Sequence, residues 1–278
     1  MVDLYNTGIR AIIDSYLLEE SKKKRDYGEY WSASSAGYCM RRNIFERMGV
    51  PHTETEDEAR KQRVFTAGHI FHNWIQELTK ASGASIAQEG ELKDEKLKIL
   101  GHFDDLIEVR FDENGDTPVR LGAEQRAKKL ILYDYKTANS RSFNYKKELS
   151  HYHKMQLGTY MYLLRHTELA DGVKNLNEGR ILILEKDTLR TREFVLKWTP
   201  DLEKEIVGYW RTLNGYWKNE TLPKCTCADY EKMSTGPNKG VGFMAVEKWN
   251  PYFYNGEPCS VKWYKKWKAN EAVQTPTA

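Results

Sequence analysis

Apolar residues near the start of the chain fall at helical spacing. Ile9, Ile12, Ile13, Tyr16 and Leu17 form one such run and residues 64–78 a second, so the chain to about residue 81 reads as helices interrupted at 51–57. From residue 86 the texture changes. Short strand-type runs occupy 98–110, 130–137, 180–185 and 192–198, with a helical pattern over 151–165 between the second and third. The turn-rich DENGDTP at 112–118 makes the first two runs a hairpin or a neighbouring pair, and 186–189 reads as another hairpin turn. Residues 202–217 are helical again; past Pro223 regularity fades, and the last ten residues are expected to be disordered. This order predicts an α/β chain with a central mixed sheet flanked by helices, a helical N-terminal part and an irregular C-terminal tail. The expected organisation is one domain over 1–268, with its core at about 60–200.

The chain has 278 residues, enough to bury a sizeable core. Lys and Arg number 43 against 40 Asp and Glu, a net charge of +3. That is too balanced for a histone-like coat, and it neither requires nor excludes a nucleic-acid partner. No apolar run approaches the roughly 18 residues that span a bilayer, and the start shows no secretory pattern. The expectation is a soluble protein without a membrane partner, in a cytoplasm, or in a host cytoplasm if the source is viral. The four cysteines, Cys39, Cys225, Cys227 and Cys259, then read as free thiols or metal ligands rather than a disulfide framework.

The most informative segment is LILYDYKTAN at 130–139. Side chains alternate along a strand, so Asp134 and Lys136 share the face of Leu130 and Leu132, while Tyr133 and Tyr135 face the other way. Charges on the core side of an apolar strand are costly unless something pairs with them. In LGHFDDLIE at 100–108, Asp104 shares a face with Leu100, His102 and Leu106. Were the two strands neighbours, two carboxylates would converge near one lysine. Hard oxygen ligands around a Mg²⁺ or Mn²⁺ ion suit phosphodiester hydrolysis, with Lys136 orienting water or neutralising developing charge. The competing reading is a buried structural ion pair of Asp104 or Asp134 with Lys136.

Flanking residues add weaker signals. Gly68 and His72 are one helical turn apart, so a helix could approach a sheet closely at the glycine and carry His72 to a metal. His69 lies off that face. His153, Gln156 and Tyr160 form a polar stripe on the helix at 151–165, read either as satisfied core groups or as facing the metal site.

The ordered set G-x-x-x-H (Gly68, His72), G-x-x-D (Gly101, Asp104), D-x-K (Asp134, Lys136) and Q-x-x-x-Y (Gln156, Tyr160) resembles the PD-(D/E)XK nuclease superfamily, in its RecB-like exonuclease branch. The resemblance covers about residues 32–164. It implies a restriction-endonuclease-like fold in which His72, Asp104, Asp134 and the main-chain carbonyl of Tyr135 hold the metal. Lys136 is then the catalytic lysine, supported by Gln156 and Tyr160. One early cysteine and three late ones look like the arrangement of CRISPR-associated RecB-like nucleases, which implies a 4Fe-4S cluster joining the chain ends. The late spacing departs from that pattern, because one residue separates Cys225 from Cys227 and Cys259 lies far downstream. Zinc and unliganded thiols stay open alongside the cluster.

Arg41 and Arg42, beside Cys39, are candidate DNA contacts. The tail holds Trp249, Tyr252, Phe253, Tyr254, Trp263, Tyr264 and Trp267 among lysines, either a surface for single strands or an aromatic clamp onto the core. The resulting expectation is a metal-dependent DNA exonuclease, acting on single strands or free ends. Its context would be phage or plasmid replication or recombination, or CRISPR spacer acquisition with an integrase partner. The alternative is a non-catalytic nucleic-acid-binding adaptor with a structural cysteine-bound metal. Oligomeric state is not legible in the sequence.

Overall fold

The computed structural model describes residues 8–22, 27–53, 58–111, 127–166, 173, 175–227, 252, 257 and 259–274; for 110–111, 127–128 and 270–274 it describes the backbone alone. The expected turn at 112–118 and the tail aromatics Trp249, Phe253 and Tyr254 lie outside the described residues. The chain divides into two compact units: Met1–Ser34 with Asp57–Val207, and Ser35–Glu56 with Gly208–Ala278.

The first unit is a mixed α/β structure. Helix α1 (Ile9–Lys22), strand β1 (Trp31–Ser32) and helix α3 (Glu58–Ala81) come first; the short α2 (Met40–Arg47) between them belongs to the second unit. Strands β2 (Ser85–Gln88), β3 (Glu91–Asp94), β4 (Ile99–His102), β5 (Asp105–Phe111) and β6 (Ala127–Ala138) follow. After α4 (Ser140–Tyr145) and α5 (His151–His166) come β7 (Glu178–Glu185), β8 (Thr191–Lys197) and the start of α6 (Pro200–Lys218). The main sheet has the order β2-β5-β6-β7-β8. Only β6 and β7 run parallel in it, and the α4–α5 crossover between them supplies the long connection a parallel pair requires.

The expected neighbourhood of 98–110 and 130–137 holds, since β5 pairs antiparallel with β6. The single strand expected over 98–110 does not. The chain leaves β4, which pairs with β1 and β3 in a separate three-stranded sheet, and enters β5 of the main sheet through Phe103 and Asp104. Asp104 therefore sits at a break between two sheets rather than inside a strand.

Helices cover both faces of β6 and β7. In register, Leu132 opposes Gly179, Asp134 opposes Ile181 and Lys136 opposes Ile183. A Cβ on Gly179 would stand 2.8 Å from Met161 Sδ and 3.0 Å from Leu157 Cγ, so this face lies against α5. Helix α5 is buried at His153 and continuously from Met155 to Leu164, which is why its polar residues sit in the interior. The opposite face buries Tyr135 and Leu184 with Ile75 and Phe71 of α3. A Cβ at Gly68 of α3 would come within 3.4 Å of Thr137 Oγ1, the close approach the sequence suggested.

The described part of the second unit is helical: α2, the end of α6, and α7 (Val261–Gln274). Its core gathers Cys39, Phe45, Val50, Cys227, Tyr252 and Cys259, with Trp263, Tyr264 and Trp267 against it. Tyr264 stacks on Phe45 at 5.3 Å, and Trp263 Nε1 donates to Pro51 O at 2.8 Å. The described tail aromatics are thus a clamp. Helix α7 runs to Gln274, into the stretch expected to lack structure.

Gly101 of β4 packs where no side chain fits, since a Cβ there would lie 2.5 Å from Ala33 Cβ and 2.9 Å from Tyr160 Cε1. Gly101→Ala should lower the unfolding free energy by about 1–3 kcal/mol. A urea titration checks this, and an unshifted midpoint would contradict the close packing.

Candidate active site

The site forms where the ladder between β5 and β6 ends. Strand β5 starts at Asp105, opposite Tyr133, so the Tyr135 N–H lies beyond the last paired residue of β5. Asp104, in the break before β5, takes that hydrogen bond through Oδ2 at 2.7 Å. From α3, His72 brings Nε2 to 3.0 Å from the same oxygen. The approach lacks hydrogen-bond alignment, and Nε2 is buried without a hydrogen-bonding partner. Burial works against a charged His72, but the Asp104 carboxylate outweighs it and raises the imidazole pKa.

Asp134 and Lys136 emerge from β6 on the α5 face. Asp134 is 1% exposed, and Lys136 Nζ sits 2.8 Å from both of its carboxylate oxygens, donating to Oδ1. Oδ2 is left buried with no hydrogen bond. Burial, reinforced by the Asp104 charge, pushes the Asp134 pKa up to about 6, even with Lys136 opposing it. Burial likewise disfavours the Lys136 ammonium, yet the charges of Asp134 and Asp104 hold its pKa above the ordinary lysine range. Two groups that share one face in the sequence are thus a buried ion pair with unsatisfied acceptor capacity.

Tyr160 and Gln156 of α5 are buried beside this pair. Burial, then the Asp134 charge, raises the Tyr160 hydroxyl above its ordinary range. His153 is buried with Ser150 Oγ 2.9 Å from its Nδ1. Desolvation, then the Lys146 and Lys136 charges, pulls its pKa down to about 2, so it is a neutral core group. His69 is exposed.

Two acids near the site escaped the sequence reading. Glu89 offers a carboxylate oxygen that lies, with ligand atoms of His72 and Asp104, in a group mutually within 4.8 Å. Its backbone is in the left-handed region, φ +50°, unusual for a residue other than glycine. Gln76 Nε2 holds the arrangement by donating to Glu89 Oε1 at 2.8 Å and Asp104 O at 2.9 Å. Asp105 is fully buried on the α3 side, accepting from Thr79, Ser85, Gln88 and Tyr135 hydroxyl or amide groups at 2.5–3.1 Å. It is saturated, and its role is to fix β5 against β2, β6 and α3.

In the second unit, the Sγ atoms of Cys39, Cys225, Cys227 and Cys259 all lie within 4.8 Å of one another. Arg41 Nε donates to Pro223 O at 2.7 Å and its NH1 to Cys259 O at 3.5 Å, so this guanidinium braces the cysteine segments. Arg42 lies over the Tyr38 ring at 4.1 Å.

Residues 116–227 match the family model of the PD-(D/E)XK nuclease superfamily. That stretch of the chain carries a domain of this nuclease superfamily, and the mixed sheet flanked by helices has the restriction-endonuclease-like architecture. Asp134, Lys136, Gln156 and Tyr160 fall within the match; His72, Glu89 and Asp104 precede it. The backbone is similar to the crystal structure of SSO0001 (18% identity, 78% of this chain and 94% of that one, TM-score 0.48). It is also similar to an alkaline exonuclease, LHK-Exo, from Laribacter hongkongensis (13%, 69% and 89%, TM-score 0.43). The same enzyme in complex with dAMP gives 13%, 70% and 90%, with TM-score 0.43. No curated protein matches the chain. Among the described residues, no helix is long and apolar enough to cross a membrane.

A carboxyl group whose pKa is higher in the folded chain destabilises that chain once it ionises. With divalent ions chelated, Asp134→Asn should therefore be more stable than wild type above about pH 6, by about 1–3 kcal/mol. The difference should shrink as pH falls below about 6 and vanish below about pH 3, where the carboxyl is protonated in both states. Chemical denaturation at several pH values measures it, and parallel profiles for the two proteins would contradict a buried, underpaired Asp134.

Proposed function

We propose that the chain is a divalent-metal-dependent deoxyribonuclease of exonuclease type. The observation that carries this reading is a group of ligand atoms of His72, Glu89 and Asp104 mutually within 4.8 Å, electrostatically coupled to a buried Asp134 whose Oδ2 accepts no hydrogen bond. A nitrogen and several carboxylate oxygens form a hard donor set that fits Mg²⁺ or Mn²⁺, and these residues fit the ion the family implies. His72, Asp104 and Asp134 would hold it, with Glu89 adding a carboxylate and the Tyr135 carbonyl the further donor the resemblance implies. When bound, such an ion polarises the scissile phosphate and acidifies water.

The remaining work falls to the chain itself. Lys136 keeps its proton, so its Nζ donates to the attacking water or to a phosphate oxygen and offsets the growing negative charge. Asp134 anchors that ammonium at 2.8 Å and limits where it reaches. The Tyr135 N–H fixes the Asp104 carboxylate, leaving its second oxygen to a ligand. Tyr160, kept protonated, and Gln156 wall the pair from the α5 side. The exonuclease form of the reading, the DNA substrate and a setting in phage or plasmid recombination or in spacer acquisition rest on the motif order.

Purified protein with end-labelled single- and double-stranded DNA should release short products only when Mg²⁺ or Mn²⁺ is present. Asp104→Ala, Asp134→Ala and Lys136→Ala should each lower cleavage by at least about 100-fold. Glu89→Gln should weaken Mn²⁺ binding by about tenfold, read by calorimetry without substrate. Wild-type cleavage by folded Asp134→Ala would sink the site, and retention of DNA without cleavage under every divalent ion would favour an adaptor.

A further inference from the structure

Apolar residues that the nuclease reading leaves without a task gather on one side of the first unit. Helix α1 buries none of its residues. Its Ala11, Asp14, Leu17 and Leu18 are half-buried, and Asp14 pairs with Arg63 of α3, so these positions form the side that packs on α3. Ile9, Ile12, Ile13 and Tyr16 follow at intervals of three and four residues on the opposite side and are 43–72% exposed. On α3, Arg63, Ile70 and Trp74 share one face, because their separations are nearly whole numbers of helical turns. That face meets α1 at Arg63 and continues through Ile70, Trp74 and Leu78, which are 43–63% exposed. The sheet side of α3 carries Ile75 and Gln76, both buried.

The exposed area is large for a solitary chain. Among the described residues, ten of the thirteen exposed large apolar side chains lie on α1, α3 and the neighbouring β2. At about 200 Å² per large side chain, the four residues of α1 and the three of α3 expose about 800 Å². The largest apolar patch of a monomer is commonly about 300–600 Å², and a standard interface covers about 800 Å² of each partner. The charges nearby select the occupant. Helix α1 carries Arg10 and Lys22 against Asp14, Glu19 and Glu20, with Arg10 paired to Asp14 and Lys22 to Glu19. A surface for a polyanion or an anionic membrane would carry a basic excess. A short helix with an apolar row along its outer side instead matches its own copy, turned through a two-fold axis.

We propose that this face joins two copies of the chain, with α1 of one protomer antiparallel to α1 of its partner. Ile12, Ile13 and Tyr16 form the centre of the contact, and Ile70, Trp74 and Leu78 of α3 its margin. The contact steadies α1, since a helix of 14 residues is marginal on its own in water. Two residues apart on a helix, Ile70 and His72 point to nearly opposite sides, so the dimer leaves the candidate active site open.

The test uses the full chain without substrate and reads association rather than cleavage, so its outcome is separate from that of the nuclease reading. Sedimentation velocity between about 0.1 and 100 µM should show a reversible monomer–dimer equilibrium. Ile12→Glu combined with Ile13→Glu should raise the dimer dissociation constant at least about 100-fold, with circular dichroism showing the fold retained. In the wild type, amide exchange in α1 should slow as concentration rises, a readout that needs no variant. A wild type that stays monomeric throughout that range, a dimer undiminished in the folded double variant, or a monomer that instead floats with anionic lipid vesicles would each overturn the proposal.

Discussion

A carboxylate withdrawn from water has to be answered by a cation or a proton, and the first unit is arranged around that demand at Asp134. Lys136, two residues along the same strand, answers part of it at 2.8 Å, but one carboxylate oxygen keeps an unused lone pair. Asp104 then adds a second negative charge, held in place by the Tyr135 N–H just past the end of the β5–β6 ladder. Replacing any partner with a neutral group changes the balance for all, because charges in a low-dielectric interior act on one another strongly. The buried stretch of α5 and the close approach of α3 enclose Asp134, while Lys136, His72 and Asp104 stay partly open to solvent. A buried ion pair with spare acceptors is poor construction for stability alone. It is sound construction for holding a divalent cation.

Much of this was legible along the chain because strand and helix periods are short-range facts. The alternation in LILYDYKTAN places Asp134 and Lys136 on one face without any tertiary knowledge, and Gln156 and Tyr160 follow from helical spacing on α5. What escaped depends on register between distant segments. The run at 98–110 reads as one strand, since nothing local reveals that residues 99–102 pair in one sheet and 105–111 in another. That switch is what frees Asp104 to cap Tyr135. Glu89 had no periodic signal; its position comes from a left-handed backbone and from Gln76 bridging to Asp104. Asp105, next to Asp104, carries no local sign of its surroundings, yet it is fully buried and saturated by four donors.

The second unit shows the same limit from the other side. The four cysteines were countable, and their number suggested one metal centre, but contacts such as Cys39 with Cys225 span 186 residues of sequence. Only the fold brings the four sulfurs within 4.8 Å of one another. Arg41, which by sequence position resembled a phosphate contact, spends its guanidinium on the carbonyls of Pro223 and Cys259. Of the two readings open for the tail aromatics, the described ones follow the clamp and close the core around Phe45. In both cases packing between segments distant in sequence uses side chains for which the sequence left a ligand open.

The central claim is that the spare lone pairs of His72, Asp104 and Asp134 converge on one cation. The most direct measurement is anomalous diffraction from crystals of the protein soaked in Mn²⁺. The account predicts a manganese peak within bonding distance of Asp104, Asp134 and His72 Nε2, with Lys136 Nζ beside it and not bound to it. A fully occupied crystal surface with no peak among these three residues, or His72 and Asp104 closed into a metal-free hydrogen bond at saturating Mn²⁺, would contradict it.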